Sequence, residues 1–149
     1  MLHWFIIIVF ISFLVFFSLR RPGVNSVNTP NEIKTVSIGD VDVKVDLALT
    51  QAEKAKGLSG RPSLAEDEGM LFVFDYTTRH PFWMKDMLIP IDMIWIDEKG
   101  VVVYVEHNAK PESYPSLFGS NIESKYVLEV ISGFAERHGV TIGSKVEFK

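Results

Sequence analysis

Residues 79–97 read RHPFWMKDMLIPIDMIWID, and the placement of this stretch decides the fold. As a helix it would be buried or cross a membrane; as strands it would sit at the centre of a β domain. Lys85, Asp86 and Asp92 stand inside it, and a segment built to be wholly buried should not hold three charges. Branched and aromatic residues dominate, so it reads as two strands, PFWMKDM and IDMIWI. In an antiparallel pair the paired residue numbers have a constant sum. A symmetric loop around Leu88 and Ile89 would therefore set Lys85 opposite Asp92 and Trp83 opposite Ile94. Lys85 and Asp92 would share a partly buried face, with Asp86 on the other face in solvent.

Strand patterns continue on both sides. VDVKVDLAL, residues 41–49, alternates without a break, with Val41, Val43, Val45, Leu47 and Leu49 on one face and Asp42, Lys44 and Asp46 on the other. Gly39-Asp40 joins it to IKTVSI as a hairpin. Thr50 and Glu53 form a capping box and Gly57 supplies a left-handed stop, which predicts a short helix between them. GMLFVF, VVVYVE and YVLEVI are further strands, and Asp97 to Gly100 is a hairpin turn between IDMIWI and VVVYVE. SGFAERHG reads as a second short helix, capped by Ser132 and closed by Gly139, and SKVEF ends the chain as an edge strand. The loop NAKPESYPSLFGSN has a length that often accompanies function. The expected fold is mainly β, with about eight strands and two short helices in a small antiparallel barrel or sandwich.

The 149-residue chain opens on MLHWFIIIVFISFLVFFSL, which holds no charged side chain. At about 1.5 Å per residue, a helix of that length just crosses a hydrocarbon core of roughly 30 Å. Residues 1–20 thus read as a transmembrane anchor or uncleaved signal, in contact with the membrane through residues 2–19. Residues 21–32, rich in Pro, Asn, Ser and Gly, read as a linker, and residues 33–149 as a single β-rich domain. That domain carries 13 Lys plus Arg against 18 Asp plus Glu, and such an acidic balance argues against nucleic acid as a partner. Arg20 and Arg21 follow the apolar run, so the positive-inside rule alone would place the domain in the cytoplasm. Cysteine is absent, which excludes a lipidated anchor and decides no compartment.

Five residues are candidates for a site. Lys85 and Asp92 are one pair, either a salt bridge pinning strand register or the polar floor of a pocket beside Trp83. Arg61 in GLSGRPSL suits bidentate recognition of a carboxylate, which could be Glu129, Asp92 or an external anion. Glu129 alternates with Val127 and Ile131 and is expected to be buried in a pair. The four histidines, at 3, 80, 107 and 138, have no ligand spacing, so no metal site is expected, and no nucleotide or dinucleotide cofactor motif is present.

GLSGRPSLAEDEGMLFVF, HPFWMKDMLIPIDMIWIDEKGVV and YVLEVISGFAERHGVTIGSKVEF, taken in that order, closely resemble the domain-of-unknown-function 192 family. The family pattern falls here on Gly57, Leu58, Arg61, Gly69, Met70, Phe82, Trp83, Met84, Lys85, Pro90, Asp92, Tyr126 and Glu129, with Asp86 and Ile91 as mild departures. The resemblance implies a small, mainly β domain, often behind a signal peptide or membrane anchor, and no known activity. It favours an extracytoplasmic domain, against the Arg20-Arg21 argument.

Three functions fit these residues. The first is a membrane-tethered binding or accessory domain for a small polar ligand or envelope component, using Arg61, Trp83, Lys85, Asp92 and Glu129. The second is a cofactor-free hydrolase or isomerase with Asp92 or Glu129 as base beside Lys85 and Arg61. The third is a structural domain whose charges are internal salt bridges.

Overall fold

The computed structural model describes residues 30–149. The anchor read at residues 1–20 lies outside them, and so does most of the linker. Among the described residues no helix is long and apolar enough to cross a membrane. The chain folds as β1 (Thr35–Ile38), β2 (Val41–Ala48), α1 (Gln51–Lys56), β3 (Glu68–Arg79), β4 (Ile91–Ile96), β5 (Val102–Ala109), β6 (Glu123–Ile131), α2 (Phe134–Arg137) and β7 (Val146–Phe148). The seven strands form one sheet in the order β5-β4-β6-β3-β2-β1-β7.

The fold is mainly β with two short helices, as expected, but the sheet is mixed rather than purely antiparallel. β2 and β3 run parallel, with Lys44 beside Glu68 and Ala48 beside Phe72. A parallel pair cannot be closed by a hairpin and needs a crossover; residues 49–67 supply it and carry α1. The expected hairpins at Gly39-Asp40 and at Asp97–Gly100 are present, the second with a bulge at Trp95 and Ile96. Gly100 has φ +71° there, a backbone that glycine adopts without strain.

The sheet curls until its ends touch. Val101 bridges to Lys145, the Val146 amide donates to the Gly100 carbonyl at 2.8 Å, and the Val102 amide donates to that of Ser144 at 2.9 Å. The enclosed face carries Val36, Ile38, Val43, Leu71, Ile94, Leu128 and Val146, sealed by Phe134 of α2. This is the face the alternation of residues 41–49 predicts. The other face is covered chiefly over β3, β4 and β6, with Ala48 of β2 and Ala109 of β5 buried in the same cluster. There Phe72, Met93, Trp95 and Val127 pack under Leu58 of the crossover and under Phe82, Met84 and Met87. All six residues of β4 are buried because both its faces are covered.

PFWMKDM is not a strand, which corrects the expected hairpin with IDMIWI. Phe82 makes a single bridge to Phe118, and Lys85 and Asp86 lie in a turn where Asp86 has φ +56°. β4 pairs instead with β5 and β6, with Asp92 beside Val130. Leu88-Ile89 is poor hairpin chemistry. The segment is tied down by loop contacts: the Ser59 hydroxyl donates to the Lys85 carbonyl at 2.9 Å, and the Gly60 amide donates to the Asp86 carbonyl at 2.9 Å.

Trp95, fully buried, donates its indole N–H to the His80 carbonyl at 3.0 Å. Its ring lies flat against Gly119, where a Cβ would stand 2.4 Å from the indole and where φ is +65°. Gly119→Ala is therefore expected to destabilise the domain by about 3 kcal/mol, from overpacking and a strained backbone. A urea titration of the two proteins measures it, and a cost below about 1 kcal/mol would mean that the loop yields freely.

Candidate functional site

The five candidate residues do not form one cluster. Asp92 points into the enclosed face, is fully buried, and is saturated by backbone amides. Its Oδ1 accepts from Asn108 N at 2.8 Å and Gly133 N at 3.2 Å, and its Oδ2 accepts from Ala135 N at 2.9 Å. Two of these amides open α2. Asp92 thus satisfies the helix start that the sequence reading gave to Ser132, whose hydroxyl instead donates to Asn108 Oδ1 at 2.9 Å. Lys85 is not opposite Asp92, so neither the salt bridge nor the shared polar floor forms between them. Arg61 bonds Asp46 on the surface and clamps neither Glu129 nor Asp92.

Glu129 follows a different course. It lies on the partly covered face of β6, between Met70 of β3 and Met93 of β4, and is 4% exposed. Its expected partner is missing: Oε2 has no hydrogen-bond partner among the described residues. Burial pushes its carboxyl up to about 8 from an ordinary value of 4.5, so at neutral pH the acid is mostly protonated. Gly57, at φ +50°, comes close; a Cβ there would lie 3.7 Å from Oε2.

A cavity of about 270 Å³ opens over this carboxyl. Its walls include Phe72, Phe74 and Phe82, with Trp83 and Lys85 from the turn-bearing segment and Lys54, Lys56 and Gly57 from the crossover. Trp83 is 50% exposed and meets the Tyr114 ring edge-on at 6.0 Å. His80 stacks on Phe74 with the ring centroids 3.4 Å apart, and burial holds its imidazole below the usual histidine range. On the same Phe74 ring the Lys54 ammonium sits 4.8 Å from the centroid.

Trp83, Lys85 and Glu129 therefore come together, although not by the strand pairing their spacing suggests, while Asp92 and Arg61 lie elsewhere. Sequence reasoning missed Lys54, Lys56, Phe72 and Phe74, while His80 was the one histidine it singled out, for its place beside FWMK. The aromatic pair was visible as the alternating half of LFVF, but which face was open could not be read without the crossover that roofs it. Among the described residues no three His, Asp or Glu side chains are grouped to hold a metal ion.

Six of the thirteen residues that carry the family pattern, Gly57, Leu58, Phe82, Trp83, Lys85 and Glu129, line this one cavity. The family model for DUF192, described as an uncharacterized ACR, matches residues 34–148. The chain belongs to the DUF192 family. This DUF192 domain is similar to a crystal structure of a protein of unknown function from Novosphingobium aromaticivorans, with 33% identity and a TM-score of 0.73 over 77% of this chain and 84% of that one. It is also similar to a crystal structure from Sinorhizobium meliloti, described there as a proposed transcription regulator, with 32% identity and a TM-score of 0.72 over 76% of this chain and 92% of that one. No curated protein matches the chain.

Proposed function

We propose that the DUF192 domain is a binding module whose cavity takes a small polar ligand, held against the membrane by the apolar segment at residues 1–19. The observation that carries this reading is the Glu129 carboxyl, buried without a hydrogen-bond partner at a concave site beside a half-exposed tryptophan. A buried polar atom left unsatisfied costs on the order of 1–3 kcal/mol, and a strut would not leave it so. A ligand that satisfies it recovers that cost. The extracytoplasmic placement rests on the family resemblance; a reporter fused after Lys149 and active only outside the cytoplasm tests it.

A regulator that grips nucleic acid, as the description of the Sinorhizobium relative would suggest, is disfavoured by an acidic domain with no basic run. An acid–base enzyme built on Glu129 is the second reading, supported by a carboxyl that burial has moved toward neutral pH. Asp92 has no part in it, because its oxygens already serve three amides.

A metabolite and envelope-fragment screen by thermal shift on the full chain in mild detergent tests the binding reading. At a ligand concentration about a hundred times its Kd, stabilisation of roughly 3 kcal/mol is expected. Trp83→Ala, at an exposed position, is expected to leave the unliganded melting temperature unchanged while weakening that response about tenfold or more. A library that stabilises wild type and Trp83→Ala equally would place the ligand elsewhere.

A further inference from the structure

We infer that the Glu129 cavity takes a small zwitterion of the amino-acid class, with a primary or secondary ammonium against the floor and its acidic group at the mouth. This rests on the reading of the cavity as a binding site and adds the charge order of the ligand. The order of charges in the wall carries the inference. At the bottom lies one acidic group, Glu129, 4% exposed and with Oε2 unpartnered. At the top lie three cations: Lys54, half-buried, and Lys56 and Lys85, both exposed. A single ligand that matches both levels must be positive at its inner end and negative at its outer end.

The donor requirement narrows the inner group. Once ionised, the carboxylate only accepts hydrogen bonds, so Oε2 calls for an N–H or O–H donor; among cationic groups a primary or secondary ammonium supplies one and a quaternary ammonium does not. Phe72, Phe82 and Trp83 in the wall add aromatic rings, whose faces attract a desolvated cation. An alkanoate would meet the lysines and leave Oε2 facing its like; a neutral polyol would meet Oε2 and leave the lysines unmatched. A cavity of about 270 Å³ suits a short molecule, being at the small end for ligand sites.

Binding an ammonium requires Glu129 to give up its proton. Because burial holds this carboxyl near 8, that step costs about tenfold in affinity at pH 7 and nothing well above pH 8. Besides Glu129, the titratable and charged groups that face the cavity are Lys54 and Lys56 from α1 and His80 and Lys85 from the segment after β3; β4 contributes none to its lining. Burial lowers the His80 imidazole below its ordinary value, which favours its neutral form. Affinity for the zwitterion is therefore expected to rise from pH 6 to pH 8.

The test uses the full chain in mild detergent and three probe series of increasing length: ω-amino acids, the matching alkylamines and the matching alkanoates. Expected is a melting-temperature rise with one or more ω-amino acids that exceeds that of the matching amine or acid. Glu129→Gln should weaken the ω-amino acid on the order of tenfold, and Lys56→Met with Lys85→Met should bring it down to the level of the amine. Alkanoates that bind as well as amino acids, or affinity that falls from pH 6 to pH 8, would overturn the charge order on wild-type protein alone, however Glu129→Gln folds. If no probe binds while a screened metabolite does so in a Trp83-dependent manner, the zwitterion fails and the binding module stands. If neither probe nor metabolite binds, both fall.

Discussion

Asp92→Ala is expected to lower the unfolding free energy by about 4 kcal/mol, enough to leave a domain of this size marginal. The carboxylate is fully buried, and its three amide donors come from the end of β5, the β6–α2 junction and α2 itself. Without it these donors face Phe134 and its apolar neighbours with no acceptor. Asp92→Asn keeps one carbonyl oxygen and should cost about half as much. Urea titrations with unchanged slope would measure both, and a cost below about 1 kcal/mol for the alanine variant would show that α2 is held by packing alone.

Glu129 is expected to make the domain lose stability as the pH rises, the reverse of a salt-bridged carboxylate. Its folded value, about 8, lies above its ordinary value of 4.5. Below pH 4.5 both folded and unfolded chains hold the proton. Between the two values the folded chain keeps a proton that the unfolded chain has released, so stability falls by roughly 1.4 kcal/mol per pH unit, of order 5 kcal/mol in all. Above about pH 8 the loss is complete and the contribution is flat. Glu129→Gln lacks the titration, so its unfolding free energy should gain on that of wild type from pH 5 to pH 8. Curves that stay parallel would mean that Glu129 is ionised in the fold and has found a partner.

Much of the strand order's raw material was legible from the chain. The alternation of residues 41–49 identified the enclosed face, and Thr50 with Glu53 marked a helix whose reciprocal cap is present. What misled was residues 81–87, where strand-like composition came from a segment that is buried as a loop. Phe82, Met84 and Met87 face inward there without any ladder, so period and propensity gave the burial and not the backbone. Ser132 was a reasonable helix cap by type, yet a carboxylate forty residues earlier in sequence took the amides, and local spacing carries no signal for such a contact. Glu129 was correctly read as buried; that it would be left alone depended on Arg61 being drawn to Asp46, which only the parallel register of β2 and β3 decides.

The single parallel strand pair has a further consequence. The β2–β3 crossover lays α1 and the Gly57-Leu58 bend across the partly covered face, where they meet the segment after β3 that carries Phe82, Trp83 and Lys85. The floor of the cavity belongs to the sheet, and two of its three rim lysines, Lys54 and Lys56, belong to the crossover. Substitutions in residues 51–56 can therefore change which molecules enter while the strand register and the buried acid stay as they are. Grafting the crossover of one relative onto the sheet of another would therefore transfer the part of the preference that Lys54 and Lys56 set, without rebuilding the fold.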